Sequence, residues 1–183
     1  TNLEVYWDRI AFALADANPA LSSAAETAAA DLRFLGFPAM KRTGADAPNL
    51  PDYNAIQTSP AWRDLEGFYT RFGDVRELLD DVDDRYVIMN AGDEIALTFQ
   101  VIAPVPPGLV RDYVLISDGW VKDGDWNTVA SRTVGPLPHH AMSDYPYPTA
   151  ETPATLRNDH RDWQEYQTRF VTPDSFRNHL RRE

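Results

Sequence analysis

The stretch that most constrains the fold is residues 111–128, where an apolar run leads directly into a loop rich in aspartate, glycine and tryptophan. The run Tyr-Val-Leu-Ile at 113–116 is apolar at both alternating positions, which is typical of a strand covered on both faces of its sheet. Gly119 and Gly124 then allow the backbone to turn sharply. We therefore expect a buried central strand at 111–116, followed by a loop that is the first place to seek a site.

A β-hairpin is predicted at residues 85–102. Residues 86–89 form its first strand, and Asn-Ala-Gly-Asp at 90–93 forms the turn, with Gly92 where a positive φ is needed. In the return strand, 94–101, apolar side chains alternate with mostly polar ones. This alternation predicts one face in the core and one face toward solvent.

Other segments add strands and one ambiguous element. Residues 3–14 alternate with a change of phase near their middle, which predicts a long strand with a bulge or a bent pair of strands. Residues 32–37 predict a strand ended by Pro38. The alanine-rich segment 19–31 fits either a helix or a loop of variable length, and 41–60 predicts a long irregular connection.

Helix signals occur at three places. Asp74 is a predicted cap for a short helix at 75–81, and aromatic residues three and four positions apart predict an amphipathic helix over 160–170. Thr172 and Pro173 are typical of the start of a last helix.

Together these elements predict a mainly β protein. The expected fold is an antiparallel β-sandwich, jelly-roll or galactose-binding-like, with short peripheral helices and long Pro-rich loops. We expect one domain over 1–183, in which the Pro-rich segment 135–183 wraps the sheets and ends in the C-terminal helices.

Charge and composition exclude several classes of function. The formal net charge is −11, which disfavours nucleic acid and anionic membrane surfaces as partners. The absence of cysteine excludes disulfides, thiolate metal sites and cysteine nucleophiles. No apolar stretch approaches the roughly 20 residues that span a bilayer, so membrane insertion is not expected. Because the chain begins with Thr1, we expect a processed product or a piece of a longer protein.

Several stretches, taken in their order along the chain, resemble the C-terminal region of large bacterial extracytoplasmic proteins. Those proteins carry FG-GAP/VCBS propeller repeats, often beside ASPIC/UnbV or tetratricopeptide segments. The resemblance implies export to the periplasm or cell exterior and a role in association, and it supplies no catalytic residues. The propeller repeats are absent here, so their calcium motif is not carried over. The stretches are 1–8, 35–38, 69–75, 83–88 with 92–94, 111–115, 119–125, 136–139 and 169–173.

The acidic loop is a candidate cation site, with calcium as the possible cofactor. Oxygen side chains at alternate positions are the ligands of a hard cation in an irregular loop. An EF-hand is excluded because Thr128 stands where the loop needs glycine and Val134 where it needs glutamate. The alternative is that these side chains make Asx-turns that shape the loop. The candidate ligands are Asp118, Asp123, Asp125 and Asn127.

Aromatic side chains suggest a second kind of site. Flat rings beside Asp and Asn side chains fit a sugar, whereas the alternative is that the rings fill the core. Trp7 belongs to the same candidate group. The predicted ligand-binding residues are Trp120, Trp126, Tyr145 and Tyr147.

Catalytic patterns are incomplete. His139 and His140 are adjacent, and on an extended chain they point to opposite sides, so one site rarely uses both. A Ser117–His139–Asp118 triad lacks the nucleophile elbow, and the acidic pairs near 80–84 are typical of a solvated turn. We therefore predict no catalytic residues and no enzyme.

Three hypotheses for function remain. The first is a non-catalytic extracytoplasmic binding or assembly module that recognises a protein or glycan surface. The second is a metal- or carboxylate-dependent carbohydrate-active enzyme centred on Asp118, Asp123 and Asp125, which would need a pocket with raised carboxylate pKa values. The third is a structural subunit of a larger periplasmic complex, which predicts a large exposed apolar patch.

Overall fold

A computed structural model of the chain describes residues 24–45, 47, 49–57, 65–100, 104–122, 129–148 and 160–172. Within these ranges strands outnumber helices and pair in small antiparallel sheets, so the mainly β prediction is confirmed. None of the helices in these ranges is both long and apolar enough to cross a bilayer. The elements are β1 (Thr27–Phe34), β2 (Phe37–Lys41), β3 (Leu50–Gln57), β4 (Gly67–Tyr69), β5 (Gly73–Asp74), a 3-10 turn (Arg76–Leu78), β6 (Asp93–Phe99), α1 (His160–Glu165) and β7 (Arg169–Val171).

The largest described sheet places β1 between β5 and β6, in the order β5-β1-β6. All pairs are antiparallel, with Leu32 opposite both Ile95 on β6 and Gly73 on β5. Ala30, Leu32 and Val75 are buried together, and Ile95 packs against them. This cluster is the core from which the neighbouring loops depart.

The predicted hairpin at 85–102 is half right. The turn is confirmed, since the Asp93 amide donates to the Asn90 carbonyl at 3.0 Å and Gly92 has a φ of 86°. The return strand is confirmed as β6, but its partner is β1 and residues 86–89 form no strand. Alternation along β6 determines which face is buried, and it carries no information about which strand lies beside it.

Residues 86–89 are held by hydrogen bonds to Thr70 and Gln167 instead of a strand ladder. The Thr70 amide donates to the Ile88 carbonyl at 3.0 Å. The Thr70 hydroxyl accepts from the Ile88 amide at 2.8 Å and donates to the Gln167 side chain at 2.7 Å. The Gln167 amide group donates to the Tyr86 carbonyl at 2.8 Å. Because buried backbone groups need a partner of any kind, these bonds replace the predicted strand pairing.

The predicted central strand at 111–116 is wrong for this structure. Residues 104–122 contain no strand, and Tyr113 is 83% and Ile116 60% exposed. Apolar residues at both alternating positions show that a segment avoids water, but a strand forms only where another segment supplies its ladder. Among the described strands none pairs with this segment.

Three expectations near the start of the described chain also change. The Ala-rich segment, predicted as a helix or loop, is part of strand β1 from Thr27 onward. Pro38 does not end a strand, because β2 continues through it, and β3 lies inside the connection that was predicted to be irregular. β2 and β3 pair only with each other among the described strands, so each has an edge without a ladder. Proline is tolerated at such edges, which is why Pro38 and Pro51 do not end the strands.

The predicted helices are shorter than expected. The segment predicted as a helix at 75–81 is a single 3-10 turn, and Asp74 accepts a hydrogen bond from the Arg76 amide at 3.0 Å. The helix predicted over 160–170 ends at Glu165, because the chain then forms β7 beside β4. The strand predicted at 3–14 and the helix predicted after Thr172 lie outside the described residues.

Candidate functional site

Three loop segments meet on one side of the molecule, namely 83–86, 117–122 and 134–148. The first is anchored by Arg85, whose guanidinium donates to Asp162 at 2.7 and 3.0 Å and to Glu77 at 3.0 Å. Those hydrogen bonds, with Asp162 first, raise the pKa of Arg85. Asp84 is therefore held in place by its neighbour.

His140 joins all three segments. Its Nδ1 lies 2.6 Å from Asp84 Oδ1, and its backbone amide donates to the same oxygen at 3.0 Å. Its Nε2 lies 3.4 Å from Asp118 Oδ2. An imidazolium donates from both ring nitrogens, so the protonated form fits both carboxylates at once.

The pKa shifts agree with this geometry. The hydrogen bond to Asp84 is the main cause that raises the pKa of His140, with a smaller contribution from Asp118. Burial by itself raises the pKa of Asp84, but the hydrogen bonds from Tyr86 and His140 outweigh it, so the net pKa is lowered. Both carboxylates therefore favour the protonated imidazole over the neutral one.

Tyr86 and Trp120 lie against this group. The Tyr86 hydroxyl lies 2.6 Å from Asp84 Oδ1 and 3.1 Å from the Pro138 carbonyl oxygen. Burial, followed by the bond to Asp84, raises the pKa of Tyr86. The Trp120 ring packs against the His140 ring, with the centroids 5.6 Å apart and the ring planes at 66°.

The Pro-rich segment supplies the supporting wall. The hydroxyls of Tyr145 and Tyr147 donate to carbonyls within this segment at 2.9 and 2.7 Å. His139 is buried, with its ring edge-to-face on Tyr147 at 4.5 Å. Lys122 donates to the carbonyls of residues 134 and 135, and burial lowers its pKa to about 8.

The structure brings some predicted site residues together and leaves others outside its description. Trp120, Tyr145, Tyr147 and Asp118 belong to the region just described. Trp126, Asp123, Asp125 and Asn127 lie outside the described residues, as does Trp7. In the ranges that the structure covers, no three His, Asp or Glu side chains are grouped as metal ligands. The calcium site stays a prediction.

A triad of Ser117, His139 and Asp118 is not expected from the sequence, and the histidine that lies 3.4 Å from Asp118 is His140. The two adjacent histidines have different partners, since His139 packs against Tyr147 and His140 pairs with Asp84. The structure adds Asp84 and Tyr86, which the sequence placed in a solvated acidic turn and a strand. No local signal identifies them, since Asp84 and His140 are 56 positions apart.

Comparisons with models of known protein families, with curated proteins and with solved structures find no match. The resemblance to exported FG-GAP/VCBS-repeat proteins therefore stays a prediction, together with the location that it implies. Function is argued from the geometry alone.

Proposed function

We propose that the chain is a non-catalytic binding and assembly module of an exported protein, which recognises a protein partner through residues 109–116. The observation that supports this is a run of six large apolar side chains, each more than half exposed. They are Leu109, Val110, Tyr113, Val114, Leu115 and Ile116.

Exposure of this many apolar side chains in eight positions is costly in water. Contiguous apolar patches on soluble proteins mark interaction surfaces, because burying them against a partner stabilises the complex. Four of the six residues are Val, Ile or Tyr, which favour strands. The partner adds a strand to this segment, and main-chain hydrogen bonds supply part of the affinity.

Charge specifies the partner further. The net charge of −11 repels acidic proteins and attracts basic ones over distances of about a Debye length. The partner therefore has an apolar centre with a basic rim. Such a rim accelerates association, and the apolar centre slows dissociation.

The finer architecture belongs to the same proposal. The small antiparallel sheets are parts of one β-sandwich of the jelly-roll or galactose-binding type that spans 1–183. The confirmed antiparallel pairing of β1, β5 and β6 supports it. A crystal structure of the chain with its partner is the test.

The binding surface is tested by site-specific cross-linking. A photoreactive benzoylphenylalanine replaces Tyr113, and the cross-linked protein from the exported fraction of the source cells is identified and purified. We then expect Val114→Asp to lower the affinity of the purified pair by about tenfold or more. Tyr53→Asp is the matched control, because Tyr53 is an exposed residue of β3 far from the segment in sequence, and it leaves the affinity unchanged.

Two results would contradict the proposal. Equal affinity of the wild type and Val114→Asp would show that the partner binds elsewhere. Concentration-dependent dimers in analytical ultracentrifugation, abolished by Val114→Asp, would show that a second copy of the chain covers the segment.

The second candidate is a carbohydrate-active enzyme, which the pairing of His140 with two carboxylates favours. It is less supported, because such an enzyme needs a carboxylate with a raised pKa, whereas the pKa of Asp84 is lowered. Turnover of nitrophenyl glycosides by the purified chain, lost in Asp118→Asn, would establish it.

A further inference from the structure

Trp120 is an exposed aromatic ring that packs against a second ring. Its centroid lies 5.6 Å from that of His140, with the two ring planes at 66°. The residue is nevertheless 37% exposed. A rigid ring loses little conformational entropy on binding, so its open surface favours a flat apolar ligand face.

Two carboxylates pair with His140, the residue that this ring contacts. Among the described residues, every hydrogen bond to the Asp84 carboxylate ends on Oδ1, which receives the His140 and Tyr86 groups. Since a carboxylate has about four acceptor positions, Oδ2 retains acceptor capacity. The side chains of Asp84, Asp118 and His140 are 17%, 28% and 39% exposed, so solvent and small ligands reach all three.

An aromatic face bordered by hydrogen-bonding groups matches one common ligand chemistry. A pyranose ring has an apolar face of C–H groups and a rim of hydroxyls that both donate and accept. His140 carries at most one positive charge, so with Asp84 and Asp118 the group has a charge of −1 or −2, and the whole chain is strongly acidic. This charge disfavours uronates and sulfated sugars.

We infer that Trp120, with Asp84, Asp118 and His140 beside it, forms a binding site for a neutral pyranose sugar. The sugar stacks on Trp120, and its hydroxyls donate to the carboxylates. The sugar site is inferred from contacts among residues 84–86, 118–120 and 140. The protein-binding surface is proposed from the exposure of residues 109–116. The two proposals stand on different observations.

The test is calorimetry and ligand-observed NMR of the purified chain with maltohexaose, cellohexaose, laminarihexaose and mannohexaose. Oligogalacturonate and a heparin oligosaccharide are the acidic comparison. We expect at least one neutral oligosaccharide to bind with a Kd below about 5 mM. The acidic sugars bind more weakly. No protein partner is needed, so the result is separate from that of the cross-linking experiment.

Variants then locate the site. Trp120→Leu keeps an apolar side chain without a ring and lowers the affinity about tenfold or more, whereas Trp120→Phe keeps a ring and retains part of it. Tyr53→Ala removes an exposed aromatic from β3 and leaves the affinity unchanged. Circular dichroism confirms that each variant is folded, and a misfolded Trp120→Leu is replaced by Asp84→Asn, for which a loss of affinity is also expected.

The inference is overturned if none of the four neutral sugars binds at about 10 mM. It is also overturned if Trp120→Leu binds as tightly as the wild type, or if the acidic sugars bind more tightly than the neutral ones.

Discussion

At the scale of single residues, His140 contacts Asp84 and Asp118 in two other segments of the chain. Both contacts are stronger when its imidazole is protonated. Its pKa is raised above the ordinary 6.5, mainly by Asp84. Protonated His140 therefore stabilises the fold, and this contribution is fully present below pH 6.5, the ordinary pKa. It is lost as the pH rises through the raised pKa of His140 in the folded state. Asp84 has a lowered pKa, so its contribution is present above 3.8 and is lost at lower pH.

We therefore expect His140→Gln to be less stable than the wild type between these two values, and the difference to shrink as the pH rises to about 9. The effect is below about 1 kcal/mol, because the pair is partly exposed. Urea unfolding of both proteins at pH 5.5, 7 and 9 measures it. A difference that grows with pH would mean that His140 is neutral in the folded state.

The pair of Asp93 and Arg169 makes a different prediction, because the carboxylate is buried. The Asp93 side chain is 1% exposed and accepts from Arg169 and from the Asn90 amide. Removing one partner leaves a buried charge, so Arg169→Met costs about 3–5 kcal/mol. The exposed pair of Arg33 and Glu94 is the matched comparison, and Arg33→Met costs at most about 1 kcal/mol in denaturant unfolding. Equal losses of unfolding free energy in Arg169→Met and Arg33→Met would show that the Asp93 carboxylate is solvated.

At the scale of elements, Gly67 sets how closely β4 approaches the residue just before the Pro-rich segment. Its φ is 152°, and a Cβ there lies 2.8 Å from Cβ of Val134, which is buried. Gly67→Ala is expected to cost more than about 2 kcal/mol. Gly108→Ala is the control, since its φ is 83° with nothing within 4 Å of the new Cβ. Its cost is about 1 kcal/mol, from the backbone alone. If thermal unfolding shows the same loss of stability in Gly67→Ala and Gly108→Ala, β4 lies farther from residue 134 than in this structure.

The segment 109–116 allows a direct comparison of the sequence prediction with the structure. A buried central strand would lose several kcal/mol on receiving a carboxylate. Because Val114 is exposed, we expect Val114→Asp to change the unfolding free energy by less than about 0.5 kcal/mol. Val75, which is fully buried, is the control, and Val75→Asp costs more than about 4 kcal/mol or prevents folding. A large loss of unfolding free energy in Val114→Asp would show that this segment is buried, as the sequence predicts.

At the scale of the whole molecule, charge repulsion opposes folding. The net charge is −11 at pH 7 and the pI is about 4.7. Salt screens this repulsion, so raising NaCl from about 10 to 150 mM at pH 7 increases the Tm by a few degrees. Near the pI the same change of salt has little effect. A lower Tm in salt at pH 7 would mean that ion pairs such as Arg85 with Asp162 outweigh the repulsion.

The sequence by itself determined the features that depend on a few neighbouring residues. Local backbone and side-chain preferences explain the turn at 90–93 and the alternation that becomes β6. They also explain the hydrogen bond that Asp74 accepts from the Arg76 amide at the start of the 3-10 turn. The absence of cysteine chemistry follows from composition. The mainly β class is the sum of such local preferences.

Only the tertiary structure decided which distant segments meet. β6 pairs with β1 and not with residues 86–89, residues 113–116 are exposed, and His140 selects Asp84 across 56 positions. Periodicity shows which side chains avoid water or favour a strand, whereas a partner is chosen by the free energy of packing the whole chain. For that reason the sequence singles out Trp120 and Asp118 as candidates, but it does not predict that Asp84 and His140 meet them.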